Sequence, residues 1–393
     1  MVDFKRTDIE TEWCSSLCWY GESVIDIFHG GVKYHLDGTI EEPGAIRRVY
    51  AYPFDSISSC GKHAVLYEAL GTKGLLIDIE GQDDTRELNR SYYHARDYRY
   101  PITLFNIPDG RKVIAHCPEE YCSLELELVE GGEVLTKREY HSADVFHSDL
   151  MTSLDGRYLL DRGWVWHPWN IVGVYDVKLA LEDPSHLDGH GLDVPQGGSL
   201  DWEPQTATFC GHKIVTASYT DSDMYFEGER EPSVEEDFEL IPAEEGVPET
   251  NPDTLERIRW IRGSDITIVD SEGNPLKPQP TPKRPAGARY LLQVYDLDKE
   301  NLISSREMPE MPGRMMSLGK NHVLSLFDHP KVIEIETGKV VLRIEDLFPG
   351  PEQEQPSAMM QDVKEPYLAL DPRNNRFAIG TEKKVTIIEI KGL

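Results

Sequence analysis

The sequence predicts an all-β fold, on two observations. First, a turn signature between short apolar runs returns along the whole chain, at Gly21, Gly61, Gly110, Gly156, Gly211 and Gly319 and at Pro372-Arg373-Asn374. Second, most of these turns lie about 40–55 residues apart, with room for several short strands in each interval. The one longer interval falls in the same range when an acidic stretch after Asp221 is treated as an insertion. This period predicts a seven-bladed β-propeller.

Runs of apolar and β-branched residues, divided by Gly, Asp-Gly or Asn, mark three or four strands in each blade. By residue number, the predicted strands are 15–20, 23–28, 32–36 and 46–52 in blade one; 56–59, 63–69, 75–80 and 85–91 in blade two; 102–106, 112–116, 123–129 and 134–140 in blade three; 150–154, 157–161 and 171–178 in blade four; 206–210, 213–219, 290–296 and 302–308 in blade five; 314–318, 322–327, 331–336 and 340–344 in blade six; and 367–370, 376–380 and 385–390 in blade seven. In blade three, leucines alternate with Glu125 and Glu127, which predicts a strand with one solvated face.

Blade seven has three predicted strands of its own, and residues 4–13 at the start of the chain can supply the fourth. Closing the ring in this way pairs the two ends of the chain and removes free sheet edges. We therefore expect residues 1–393 to form a single propeller domain.

The predicted insertion covers residues 222–287 and leaves from blade five, between its second and third strands. Between Asp221 and Glu256 acidic residues far outnumber the single basic residue, Arg230, and several prolines follow. Such a tract buries too little apolar surface to order itself, although residues 257–269 have the pattern of an added β-hairpin. A solvated linker is one interpretation, and a tether that docks a basic partner is the other.

The formal net charge of −30 bears on the choice of partner. Such a surface repels phosphate backbones and anionic headgroups, so we expect neither nucleic acid nor a membrane as a partner. A protein with a basic surface fits better. The N-terminal residues lack the apolar segment of a secretion signal, and we expect the six cysteines to be reduced thiols in a cytoplasmic protein.

Four sequence motifs carry a resemblance to known proteins. They are SLDGRYLL (153–160) followed by VYDV (174–177), PDGRKV (108–113), VYDL (294–297) and IETGKV (335–340). Blades with these motifs resemble those of the WD-repeat and YVTN-like propeller superfamily, and the resemblance implies the same fold. The chain departs from true WD repeats because it has neither their Gly-His opening nor a regular Trp-Asp ending.

Two aromatic clusters are the candidate contact residues. They lie in loops predicted to open on one face of the ring, and they consist of Tyr92, Tyr93, Arg96, Tyr98, Arg99 and Tyr100 and of Trp164, Trp166, His167 and Trp169. Large aromatic rings and arginines are enriched at protein interfaces. Packing between neighbouring blades is the alternative interpretation for both clusters.

No standard catalytic or nucleotide-binding motif occurs in the sequence. The residues with metal-ligand chemistry are His141, His147, Asp149 and His329, but their spacing is irregular. We expect a non-catalytic, protein-binding scaffold that needs neither a metal nor another cofactor. The alternative is a metal-dependent or acid–base enzyme of hydrolase or lactonase type, with these residues and His167 at the mouth of the central channel.

Overall fold

The computed structural model describes residues 2–43, 54–81, 86–139, 143–166, 169–194, 204–219, 290–308, 310, 312–350, 366–381 and 383–393. Within these residues the strands form seven antiparallel sheets and one two-stranded ribbon, with two short helices besides. The seven sheets are the blades of a propeller, as the sequence predicts. No helix of the described residues is long and apolar enough to cross a bilayer.

The N-terminal strand β1 spans Asp3–Glu10 and belongs to blade seven. Blades one to four contain, in chain order, β2 (Cys18–Tyr20), β3 (Ser23–Asp26), β4 (Val32–His35) and β5 (Ile40–Glu41); β6 (Ser56–Cys60), β7 (His63–Tyr67), β8 (Lys73–Asp78) and β9 (Arg86–Asn89); β10 (Ile102–Asn106), β11 (Lys112–His116) and β12 (Glu125–Leu128); and β13 (Leu150–Thr152), β14 (Tyr158–Asp161) and β17 (Gly173–Asp176). The ribbon pairs β15 (Trp164–Val165) with β16 (Trp169–Asn170).

Blades five to seven contain β18 (Pro204–Cys210), β19 (Lys213–Tyr219), β20 (Tyr290–Asp296) and β21 (Asn301–Met308); β22 (Met315–Leu318), β23 (His322–Ser325), β24 (Lys331–Glu334) and β25 (Lys339–Arg343); and β26 (Tyr367–Asp371), β27 (Arg376–Thr381) and β28 (Lys384–Lys391). β1 pairs antiparallel with β28 along its whole length, from Asp3 opposite Lys391 to Glu10 opposite Lys384. The predicted closure of the ring by the N-terminal strand is therefore confirmed.

The repeated glycines are turn residues between the first and second strands of successive blades. All six have positive φ, from +58° to +90°, a region that glycine enters without the steric cost other residues meet. Gly156 has a second constraint, because a Cβ there would overlap the backbone carbonyl oxygen of Asn106 in blade three. Gly110, in blade three, also has a positive φ but has open space where its Cβ would be.

The core lies between the blades. Among the described residues, seven apolar clusters join consecutive blades around the ring, including one between blades seven and one. In that last cluster Ile387 and Ala378 of blade seven pack with Val24 and Tyr34 of blade one. Polar contacts add to the packing between blades four and five, because His212 binds Asp155 (2.6 Å) and Asp298 (2.8 Å). Burial opposes a charge on His212, but these two hydrogen bonds prevail and raise its pKa.

Blades three and four differ in part from the prediction. The predicted strand 134–140 is absent from the described residues of blade three, where Val134 makes a single bridge to Glu127. Beside blade four the chain forms helix α1 (Val177–Glu182) and a 3-10 helix (Pro184–Leu187), neither of which we predicted. Helix α1 begins because the Asp176 carboxylate accepts the amides of Lys178 and Leu179.

The prediction of a solvated face on β12 is wrong, because Glu125 and Glu127 are both buried. Glu127 bonds Arg86 and His116 (3.1 Å), and Glu125 accepts the Thr136 hydroxyl (2.6 Å). Charged residues this deeply buried are normally paired, and these partners come from blade two, from the neighbouring strand β11 and from the segment after β12.

The acidic insertion falls on residues outside the described ranges. The chain divides into two units, residues 1–221 with 289–393 and residues 222–288. β19 and β20 are paired neighbours although residues 220–289 separate them in sequence. The acidic tract, the hairpin at 257–269, the strand at 46–52 and the single-domain organisation stay predictions.

Candidate functional site

The connection between blades two and three carries exposed aromatic rings above a buried base. Tyr92 is 80% exposed and Tyr93 is 45% exposed, whereas Tyr98, Arg99 and Tyr100 are buried. The buried three therefore do not offer a surface to a protein partner, which corrects the expectation that the whole cluster faces one. Only the first part of the connection offers its side chains to solvent.

Arg90 fixes this connection from below. Its guanidinium donates to the carbonyl oxygens of Gly71 (2.7 Å), Ala95 (2.5 Å) and Tyr98 (3.1 Å). It also lies 4.7 Å from the ring centre of Tyr98 and 4.9 Å from that of Tyr100. Sequence reasoning missed Arg90, because nothing in the local sequence distinguishes it from a surface arginine.

The tryptophan-rich segment of blade four forms the second part of the site. Trp164 is 2% exposed, exchanges backbone hydrogen bonds with Phe146 (2.9 and 3.0 Å) and stacks on its ring at 3.9 Å. Trp166 is 43% exposed. His167 lies outside the described residues, and Trp169 is described only as part of the backbone pairing of β16. Trp164 is thus a packing residue, and Trp166 is the accessible one.

The two aromatic segments meet at Phe146. Its ring centre lies 4.7 Å from that of Tyr121, 5.3 Å from Trp166 and 6.0 Å from Tyr93. A further contact of 5.2 Å joins Trp166 to His94. Sequence reasoning missed Phe146 and Tyr121, which stand singly in unremarkable loops.

We call the accessible part of this assembly the aromatic patch, consisting of Tyr92, Tyr93, His94, Tyr121 and Trp166. Beneath it lies a small core formed by Tyr98, Phe146 and Trp164. All of these residues come from the connections, including the β15–β16 ribbon, at the ends of the blade strands opposite the repeated glycine turns, which is the face the sequence predicts for both clusters. Offset and edge-to-face ring contacts of this kind stabilise a fixed arrangement.

Acidic groups predominate beside the aromatic patch. The His94 ring bonds Asp97 (2.7 Å), and the Tyr121 hydroxyl donates to Asp144 (2.6 Å). Burial and the Asp144 carboxylate together raise the pKa of Tyr121, so the phenol is neutral at physiological pH. The charged residues that are near the patch in sequence or bonded to it, and that are not buried, are Arg96, Asp97, Glu119, Glu120 and Asp144, whereas Arg90 is buried.

The candidate metal ligands have separate partners. His147 is fully buried and bonds Asp161 through Nδ1 (2.6 Å), with Nε2 facing the Cys122 carbonyl oxygen (3.2 Å). Asp149 is paired with two arginines. His329 lies between Asp328 (2.8 Å) and Arg343 (3.3 Å), and His141 lies outside the described residues. Within the described residues no group of three or more potential ligands is arranged to hold a metal ion.

Two solved structures align with this chain over almost its whole length. The β-propeller domain of Cps50 (Swd1) from Myceliophteria thermophila aligns over 98% of both chains, with a TM-score of 0.47 and 11% identity. BamB from Moraxella catarrhalis aligns over 100% of this chain and 99% of its own, with a TM-score of 0.46 and 11% identity. No protein-family model matches the chain, and no curated protein matches it. The strand pairing described above carries the propeller assignment.

Proposed function

We propose that this chain is a protein-binding propeller and that the aromatic patch is its contact surface. The observation that carries the proposal is the exposure of Tyr92, Tyr93 and Trp166 on one fixed base. Soluble proteins bury most of their large aromatic rings, and exposed clusters of tyrosine and tryptophan are typical of binding hot spots.

The base under the patch supports this proposal. Phe146 stacks on Trp164 and contacts Trp166, and Arg90 fixes the connection that carries Tyr92 and Tyr93. Side chains held in one arrangement lose little conformational freedom on binding, so more of the contact energy appears as affinity. A patch of this kind is ready to accept a partner without rearrangement.

The charges beside the patch favour a cationic partner. The charged residues beside it that are not buried are four acidic ones and one basic one, namely Asp97, Asp144, Glu119 and Glu120 against Arg96. The whole chain carries a net charge of −30. Acidic groups around an aromatic centre speed the approach of a basic surface, and a lysine or arginine side chain can bind over an aromatic ring. We propose a protein partner with a basic surface, met in the cytoplasm.

A capture experiment tests the proposal. Immobilised wild-type protein, the Tyr92→Ala/Trp166→Ala double variant and a Trp13→Ala control are incubated with lysate, and bound proteins are quantified by mass spectrometry. Trp13 is 51% exposed and lies outside the patch, so it matches Trp166 in accessibility. A hot-spot ring contributes about 2 kcal/mol, so the double variant loses at least about tenfold in captured partner.

We expect the lost proteins to be basic and to remain bound to the Trp13→Ala control. If the double variant and the wild type capture the same proteins in the same amounts, the aromatic patch is not the contact surface. An equal loss in the Trp13→Ala control would indicate nonspecific adhesion to exposed tryptophan.

A further inference from the structure

Two arginines line one mouth of the central channel, and a third shares a carboxylate with one of them. The channel is a cavity of about 600 Å³ lined by the first strands of all seven blades. At one end it adjoins a smaller cavity of about 120 Å³, whose lining includes Arg99, Ser56, Tyr67 and Asp55. Arg314 lines both cavities and therefore marks the place where they meet.

A single, partly buried carboxylate pairs with two of these arginines and lies in the field of all three. Asp149 accepts hydrogen bonds from Arg162 and, at 3.2 Å, from Arg314. Arg99 donates to the Ser56 hydroxyl at 3.2 Å on the wall of the smaller cavity. Burial disfavours a charge on Asp149, but Arg162, Arg314 and Arg99 prevail and lower its pKa to about 2. Asp149 is thus a permanent anion close to three cations, two of which line the channel mouth.

Asp149 does not satisfy the hydrogen-bonding capacity of Arg162 and Arg314. Arg162 is 4% exposed, and its Nε and Nη1 are buried without a hydrogen-bond partner among the described residues. The Nε of Arg314 is buried without one as well. Buried guanidinium N–H groups nearly always have an acceptor, since leaving one unpaired is costly, most of all for a charged group.

The acidic groups nearby are already engaged. Asp161 also faces Arg162 but bonds His147 and the Ser148 amide (2.9 Å). Asp55, on the wall of the smaller cavity, accepts the Ala69 amide (2.7 Å), and burial raises its pKa. Neither carboxylate is bonded to the unpaired nitrogens of Arg162 or Arg314.

We propose that Arg314 and Arg99, which line the smaller cavity, bind the oxyanion group of a small ligand, a carboxylate or a phosphate, at this mouth of the channel, with the charge of Arg162 close to them. The planar guanidinium fork matches both groups and binds them through two parallel hydrogen bonds. The smaller cavity of about 120 Å³ corresponds to roughly four water molecules at about 30 Å³ each, which is the size of such a head group. The channel beyond it has the volume of a small-molecule pocket and polar walls that include Thr103, Thr152 and Thr208. This site is independent of the aromatic patch, and its ligand is a small molecule and not the protein partner.

Titration of the purified protein with inorganic phosphate and with acetate tests the proposal. Sodium chloride at matched ionic strength is the reference, and binding is measured by calorimetry and by the shift in melting temperature. The wild type shows saturable binding of at least one of the two anions. Arg314→Gln weakens that binding at least tenfold, whereas the control Arg111→Gln leaves it unchanged. Arg111 is an exposed arginine paired with Asp109 in a turn at the opposite end of the strands.

The outcome with each probe is informative. Binding of phosphate alone assigns a phosphate group to the ligand, and binding of acetate assigns a carboxylate. If neither anion binds saturably to the wild type, or if Arg314→Gln binds as the wild type does, the proposal is overturned. Should Arg314→Gln fail to fold by circular dichroism, Arg314→Lys replaces it. The lysine keeps the charge and loses the fork, so undiminished affinity in that variant also overturns the proposal.

Discussion

Replacing Trp164 and Trp166 one at a time by alanine separates packing from contact in the tryptophan-rich segment. The two residues are neighbours in sequence and their rings touch at 5.4 Å. Trp164 is 2% exposed and stacks on Phe146 at 3.9 Å, whereas Trp166 is 43% exposed. The same substitution therefore removes a buried ring in one variant and a half-exposed ring in the other.

The expected costs follow from these exposures. A fully buried aromatic side chain removes about 150–250 Å² from water, which at about 25 cal/mol per Å² is worth roughly 4–6 kcal/mol as an upper bound. Measured Trp-to-Ala changes in cores cost about 3–5 kcal/mol. We expect Trp164→Ala to lower the free energy of unfolding by about 4 kcal/mol. Trp166→Ala removes about half as much buried area and costs below about 2 kcal/mol.

Equilibrium unfolding in urea, followed by circular dichroism, measures both costs without relying on tryptophan fluorescence. If the slope of the unfolding free energy against urea concentration is the same in both variants as in the wild type, the surface exposed on unfolding is also the same. If Trp166→Ala costs as much as Trp164→Ala, Trp166 is a structural residue and cannot be assigned to a free contact surface. A cost below about 1 kcal/mol for Trp164→Ala would contradict its burial.

Three further predictions concern the ring itself. Gly156→Ala combines left-handed backbone strain with a clash against the backbone of blade three, so we expect it to lower the free energy of unfolding in urea by at least about 3 kcal/mol. The control Gly110→Ala introduces only the backbone strain and should cost about 1–2 kcal/mol. Equal costs would contradict the close approach of Gly156 to blade three. Because the pKa of His212 is raised in the folded state, its charged form stabilises that state below about pH 6.5, and this contribution is lost as pH rises through the raised pKa. We therefore expect the difference in melting temperature between wild type and His212→Gln to shrink from pH 6 to pH 9. A constant difference would refute the role of the charge. Deleting residues 2–10 removes the strand that pairs with β28, so we expect a lower melting temperature and aggregation in size-exclusion chromatography, and an unaltered profile would show that closure is dispensable.

The architecture could be predicted because it rests on local signals that recur. The glycine turns need a positive φ that glycine supplies most easily, and their period reveals the blades without knowledge of any long-range contact. The closure by β1 follows from counting strands in blade seven and from the cost of free sheet edges. These inferences use only the order of residues along the chain.

Burial within the site could not be predicted, because it depends on partners distant in sequence. Glu127 alternates with leucines and looks solvated, yet Arg86 pairs with it from 41 positions earlier. Tyr98 and Tyr92 have the same chemistry in the same loop, and Arg90 covers only the former. Arg314 bonds Asp149 although 165 positions separate them in the sequence. No local pattern therefore predicts the arginine cluster at the channel mouth.

Hydrogen–deuterium exchange of the protein with and without its captured partner tests the central claim most directly, because it locates the contact on the ring. The account predicts slower exchange on binding in residues 92–98, 143–146 and 164–166, which carry the aromatic patch. Slower exchange confined to the turns at 108–111 and 153–157, at the opposite ends of the strands, would contradict it.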